Sequence, residues 1–185
     1  IELESRGVGL WYETAGDGPP LVVLGGLSQS AANWGVHTRA WSGRRRVIVL
    51  ELRGQGRSDV GTEPFSLAMH VADVGAALDA LAPEGCDLCG FSHGARVALA
   101  FAAREPERVR RLVLTSTGLD GDARRLAILR SWQHVLRLGG VEALAWASLP
   151  TILGGAFLAG FGEDLAPLVK ATVQRNSLAG LTALV

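Results

Sequence analysis

Gly90-Phe91-Ser92-His93-Gly94 stands between two runs of different character. Before it, Cys86-Asp87-Leu88-Cys89 reads as a short apolar strand; after it, residues 95–104 are small, apolar and helical in pattern. A G-x-S-x-G pentapeptide in that setting is a nucleophile elbow: strand, tight turn, helix, with the serine thrust out at the turn. The glycines follow from the geometry. So sharp a turn brings strand and helix close together, and bulky neighbours of the serine would collide with them. The helix that starts after the serine also points its first amides at the same spot, where they attract negative charge.

Two wholly apolar runs lie upstream, Leu21-Val22-Val23-Leu24 and Val47-Ile48-Val49-Leu50, and Leu112-Val113-Leu114 lies downstream. Strands apolar on both faces belong inside a parallel sheet. Helices separate them. One is predicted over residues 30–41. Another covers residues 67–81, where Leu67, Val71, Val74, Leu78 and Leu81 recur at steps of four and three and make one face apolar. Residues 97–103 are apolar nearly all round, the mark of a buried helix. This alternation means βαβ units and a mostly parallel central sheet with flanking helices, an α/β fold. Residues 1–16 break at Gly7 and predict a two-stranded hairpin. After Gly118 no strand pattern recurs; helices are predicted over residues 123–138, 141–149, 151–161 and 164–176, the last striped by Leu165, Leu168, Val169 and Val173. The expected organisation is a sheet-based core over residues 1–118 and part of a helical cap over residues 119–185.

With 185 residues, 48% apolar and 19% charged, the chain can bury a sizeable core. Its 18 basic and 18 acidic residues balance, which argues against nucleic acid or an acidic membrane surface as partner. Cys86 and Cys89 fall in one buried strand with no second pair to complete a metal site, and read as free thiols suited to a reducing cytoplasm. Residues 143–162 carry no charge and are long enough to span a bilayer, but Pro150 and Gly154-Gly155 interrupt them, so two short buried helices are expected instead. The chain opens on Ile1 without a methionine, which leaves room for a removed leader.

Taken together, the elbow and two further motifs resemble the α/β-hydrolase family with a helical cap. Leu24-Gly25-Gly26-Leu27 is similar to the family's loop after the third strand, which supplies an oxyanion amide. Glu51-Leu52-Arg53-Gly54-Gln55-Gly56-Arg57-Ser58 is similar to its D-x-R-G-x-G-x-S loop. Three motifs in order across residues 20–118 are far more specific than any one. Gly25 departs from the usual histidine, Glu51 from the usual aspartate, and Gln55 from a frequent histidine.

The resemblance implies a Ser-His-acid triad in the order serine, acid, histidine, with Ser92 as nucleophile and the backbone N–H groups of Leu27 and His93 as the oxyanion hole. It implies no cofactor and no metal. The acid and histidine belong after the cap, beyond Val185. Of the four histidines, His37 and His70 precede the serine, His93 adjoins it, and His134 lies in the cap as a solvated residue or a substrate contact. Asp120 is either an off-pattern acid or a turn residue. Expected partners are a small hydrophobic substrate and a C-terminal segment carrying the acid and histidine, on this polypeptide or another. Trp34, Trp132, Trp146 and Phe157 are the candidate substrate-binding residues, against the simpler reading that they pack the cap. Arg53 and Arg57 either bind substrate or brace their loop. The expected activity is hydrolysis of an ester, lactone or thioester; haloperoxidase, carbon–carbon hydrolase or lyase chemistry, or a non-catalytic ligand-binding scaffold, are the alternatives.

Overall fold

The computed structural model describes residues 2–5, 7–118, 123–161 and 163–185. Within them, six strands form one sheet in the order β1-β2-β4-β3-β5-β6. β1 (Glu2–Ser5) and β2 (Val8–Ala15) make the expected antiparallel hairpin, and β2 joins β4 (Arg46–Leu50) antiparallel. β3 (Pro20–Leu24), β5 (Cys86–Phe91) and β6 (Val109–Thr115) extend the sheet in parallel.

Successive residues of a strand point to opposite faces, and the inner strands bury both. Val22, Leu24, Ile48 and Leu50 face one layer, where they meet Val74 and Leu78 of α2 (Leu67–Leu81) and Phe101 of α3 (His93–Arg104). Val23, Val47 and Val49 face the other and meet Ala31 and Trp34, which precede α1 (Gly35–Trp41). α2 starts where Ser66 caps it: the serine Oγ accepts from the Met69 amide at 3.1 Å. The region predicted as one helix from residue 30 begins as a 3-10 turn at Ala31–Trp34 before α1.

After β6 the described chain is helical. α4 (Ala123–Ile152) breaks at Gly140, whose φ of 70° and ψ of −164° leave the helical region, so it is two helices meeting at the predicted gap. α5 (Gly155–Ala159), α6 (Ala166–Arg175) and α7 (Leu178–Leu184) follow. The helix predicted over residues 151–161 is divided: α4 runs through Pro150 to Ile152, and extended Gly154 starts α5 afresh. Among the described residues no helix is long and apolar enough to cross a membrane. Cys86 and Cys89 are free thiols, and burial pushes the Cys86 thiol up to about 11.

Register aligns the strands' C-terminal ends. Leu24 pairs with Leu50 on one side and Gly90 on the other, and Gly90 pairs with Leu114. The loops that leave β3, β4 and β5 therefore emerge together, at the edge of the sheet where open α/β folds place their sites.

Candidate active site

Ser92 has φ 52° and ψ −112°, a conformation that side chains rarely adopt. Its amide donates to the Thr115 carbonyl of β6 at 2.9 Å, and its carbonyl accepts from Ala95 and Arg96 as α3 begins. The flanking glycines are dictated by contact. A Cβ on Gly94 would lie 2.3 Å from the Leu24 carbonyl oxygen, and one on Gly90 would lie 2.5 Å from Ala95 Cα. The Gly94 amide uses that closeness, donating to Gly25 O at 3.1 Å.

The loop after β3 presses against this elbow: a Cβ on Gly26 would sit 3.4 Å from Ser92 Cβ. Gln29 N donates to Gly26 O at 3.0 Å, closing a turn with Leu27 at its second position. His93 is the first residue of α3, so its N–H has no carbonyl one turn back to bond.

A buried brace holds the loop. Gln55, only 1% exposed, donates from Nε2 to Gly26 O at 2.8 Å, and its Oε1 accepts from the Leu52 amide. Glu51 accepts from the amides of Ala31 and Arg57, at 2.7 and 2.6 Å. Its burial raises its pKa, against the pull of those two hydrogen bonds. Both residues depart from the family's usual choice, and both still close the loop. Asn176, after α6, donates from Nδ2 to Ser28 O at 3.0 Å and ties the cap to the same loop. Neither Gln55 nor Asn176 carried a sequence signal of this bracing, because each acts through a backbone carbonyl remote in the chain.

Arg53 is a bracing residue. Its guanidinium binds Asp73 twice, at 2.9 and 2.8 Å, with both side chains buried, and Ser5 Oγ donates to the same carboxylate. Arg57 lies over the Trp11 ring at 4.6 Å.

Two cavities meet at Ser92. The first, about 220 Å³, runs between the Gly26–Gln29 loop and α4, past Leu144, Ala145 and Leu153. The second, about 320 Å³, opens over His93 and Ser116. Trp132 and Ile152 line both. The other aromatic candidates lie elsewhere. Trp34, 8% exposed, packs in the core between Phe91 and His37, because the 3-10 turn that carries it folds back under β3. Trp146 is 44% exposed over a separate groove with Asp164 and Lys170. Phe157 is 53% exposed and meets Phe161 at a tilt, since α5 lies on the outside of the cap.

His93 turns its ring toward His70, 5.1 Å away and edge-on, and His70 meets Phe65 in the same way. Burial above all lowers both pKa values to about 4, so both rings are neutral. His37 lies between Trp34 and Trp41 with its ring tilted to both, and His134 is exposed. Asp120 lies outside the described residues. Among those described, no side chain is hydrogen-bonded to Ser92 Oγ.

A sequence model of the alpha/beta hydrolase fold matches residues 19–147, and the chain belongs to that family. It is similar to a 2-hydroxymuconate semialdehyde hydrolase of Pseudomonas sp. (strain CF600), 36% identical over 117 residues, 61% of this chain and 41% of that protein. It is also similar to a pimeloyl-[acyl-carrier protein] methyl ester esterase of Nitrosospira multiformis, 34% identical over 113 residues, 60% of this chain and 43% of that protein. The chain thus spans about two fifths of these relatives. The fold matches the crystal structure of MGS-M2, an alpha/beta hydrolase from a Medee basin deep-sea metagenome library, with a TM-score of 0.89 at 21% identity, over 100% of this chain and 70% of that one.

Proposed function

We propose that Ser92 is the nucleophile of a serine hydrolase that cleaves an ester, lactone or thioester of a small hydrophobic acid through an acyl-enzyme. One observation carries this reading: Ser92 stands at positive φ on a strand–turn–helix elbow, at the mouth of a cavity lined mainly by apolar residues. The methyl ester esterase among the relatives supports ester cleavage, and the 2-hydroxymuconate semialdehyde hydrolase supports hydrolysis in general.

The chemistry divides as follows. A serine hydroxyl is a weak nucleophile near neutral pH and needs an adjacent base. Both buried histidines near the elbow are neutral, but they face each other, so neither is that base. We assign the base and its orienting acid to sequence outside residues 1–185, as the family's chain order requires. Attack on the carbonyl places negative charge on its oxygen. The Leu27 and His93 amides stabilise that charge, each at a cost of roughly 3 kcal/mol if lost. Backbone donors need no particular side chain, so a leucine and a histidine serve. The intermediate then collapses: the carbonyl's bond to the leaving oxygen or sulfur breaks, and the alcohol or thiol departs with the proton the base took from Ser92. Water, deprotonated by the same base, hydrolyses the acyl-enzyme, which frees the acid and restores the Ser92 hydroxyl. The first cavity holds the acyl group, with Trp132 as a substrate-binding wall.

In the intact polypeptide a fluorophosphonate probe should label Ser92. Ser92→Ala should lose the label and slow hydrolysis of p-nitrophenyl butyrate at least about a thousandfold. Turnover undiminished in a folded Ser92→Ala protein sinks the proposal.

A further inference from the structure

Gly26 is where the loop after β3 touches the elbow, and glycine leaves the chain free to turn there. Both peptide groups that flank it are nevertheless held. In the one before it, Gly25 O accepts from the Gly94 amide at 3.1 Å, and Gly26 N donates to Gln29 Oε1 at 2.8 Å. In the one after it, Gly26 O accepts from the Gln29 amide at 3.0 Å and from Gln55 Nε2 at 2.8 Å. A trans peptide turns its N–H away from its C=O, so those two bonds also fix the direction of the Leu27 N–H. Among the described residues, no hydrogen bond uses that N–H.

Gln29 thus holds Gly26 from both sides, through its backbone N–H and its side-chain carbonyl. Only the second bond depends on the residue type. An amide N–H needs an acceptor, so the side-chain oxygen of Gln29 must be the atom at Gly26. The room for it comes from Gly25: a Cβ there would lie 3.1 Å from Gln29 Cβ and 3.3 Å from Gln29 Oε1. Gly26, Leu27, Gln29 and Ser92 line the same cavity, so the Gly26 and Leu27 amides are neighbours beside the serine. Two adjacent donors in competition for one oxyanion would give the loop two ways to sit, and Gln29 takes one of them out of the competition.

We propose that Gln29 is the positioning residue of this loop: its side-chain carbonyl occupies the Gly26 amide and leaves the Leu27 amide to stabilise the charge that forms when Ser92 attacks. The inference rests on the roles proposed above for Ser92 and Leu27. In this role Gln29 acts through the backbone and not on the reacting atoms. Its importance follows from preorganisation. A donor stabilises an oxyanion only where it is already aimed, and a displacement of about 1 Å can slow a reaction on the order of a hundredfold.

The test is made on the intact polypeptide with p-nitrophenyl butyrate. Gln29→Met keeps the length of the side chain and removes its carbonyl. It should lower kcat at least about tenfold and leave KM within about twofold, because the lost positioning acts on the transition state alone. Affinity for butaneboronic acid should fall by a similar factor: its boron bonds to the Ser92 oxygen, whose proton passes to the base, and the product is a tetrahedral anion in the place of the reacting one. Gln29→Ala removes the same acceptor and should repeat the loss of kcat, which keeps the test open if the methionine variant does not fold. A rise in KM at unchanged kcat, with boronate affinity intact, makes Gln29 an ordinary wall of the cavity and overturns the proposal. Ser92→Ala, measured alongside, separates the two readings. Turnover and boronate affinity that survive in it overturn the nucleophile and this inference together. Their loss in Ser92→Ala, with both unchanged in Gln29→Met, overturns the role of Gln29 alone.

Discussion

Ser92 holds its φ of 52° because its neighbours over-determine it: its own amide is bonded to β6, and Gly94 is bonded to the loop after β3. The strain resides in the Cβ, so alanine keeps it and glycine relieves it. Ser92→Gly should therefore be more stable than Ser92→Ala, although glycine adds freedom to the unfolded chain. Strain of about 1–3 kcal/mol less an entropic penalty of about 0.4–1 leaves roughly 1 kcal/mol in favour of glycine. Thermal unfolding of the two variants measures it, and an alanine variant as stable as the glycine one shows an unstrained elbow. The elbow was legible in sequence because contacts set its glycines: each stands where a Cβ meets backbone at 2.3–2.5 Å. The loop's bracing was not. Gln55 and Asn176 act by hydrogen bonds to carbonyls of residues distant in sequence, and no local pattern encodes such a pairing.

α2 and α3 meet through an unusual contact, the edge-on pair of His70 and His93. The surroundings comprise Asp73 and Arg53 beside His70, and His70 itself and Arg96 beside His93; Asp73 favours protonation of His70, Arg53 opposes it, and His70 and Arg96 oppose protonation of His93. Burial outweighs these and lowers both pKa values from 6.5 to about 4. The unfolded chain thus binds protons that the folded one refuses. Well above pH 6.5 both rings are neutral in either state and the pair costs nothing; as the pH falls toward 4 the unfolded chain takes up the protons first and stability is lost. Each ring contributes a slope of at most about 1.4 kcal/mol per pH unit in that window. His70→Phe fills the site without a titrating group and should roughly halve the slope of unfolding free energy between pH 6.5 and 4; denaturant melts across that range would show it, and an unchanged slope would place the acid sensitivity elsewhere. At this scale the inner strands were legible as short, wholly apolar runs, because they bury both faces, and α2 from its periodicity, because it buries one. α7 was missed for a physical reason. It is seven residues long with a glycine inside, and it exists through tertiary contact: Gly180 approaches Gly54 O so closely that a Cβ would lie 2.2 Å away.

On the scale of the whole molecule, the chain divides the work between a sheet that fixes Ser92 and helices that cover it. Trp132 is where the two meet. It packs with Leu27 of the core loop and with Leu136, Leu144 and Leu181 of the cap, and it walls both cavities. Its indole therefore bounds the space left for an acyl chain. Trp146 and Phe157 looked equivalent in sequence, since large apolar residues in a helical region do not declare which face turns inward; in the fold they point away. Trp132→Ala in the intact polypeptide should shift the ratio of kcat/KM between p-nitrophenyl octanoate and p-nitrophenyl acetate by roughly tenfold, since a pocket contact is worth about 1–3 kcal/mol. The direction follows from volume: removing the ring lengthens the pocket, so the octanoate gains. Trp146→Ala and Phe157→Ala should leave the ratio within about twofold, because neither side chain lines the space at Ser92. A ratio that moves with Trp146 or Phe157 and not with Trp132 would mean that the acyl chain leaves Ser92 by another route, over the outer face of α4 and α5.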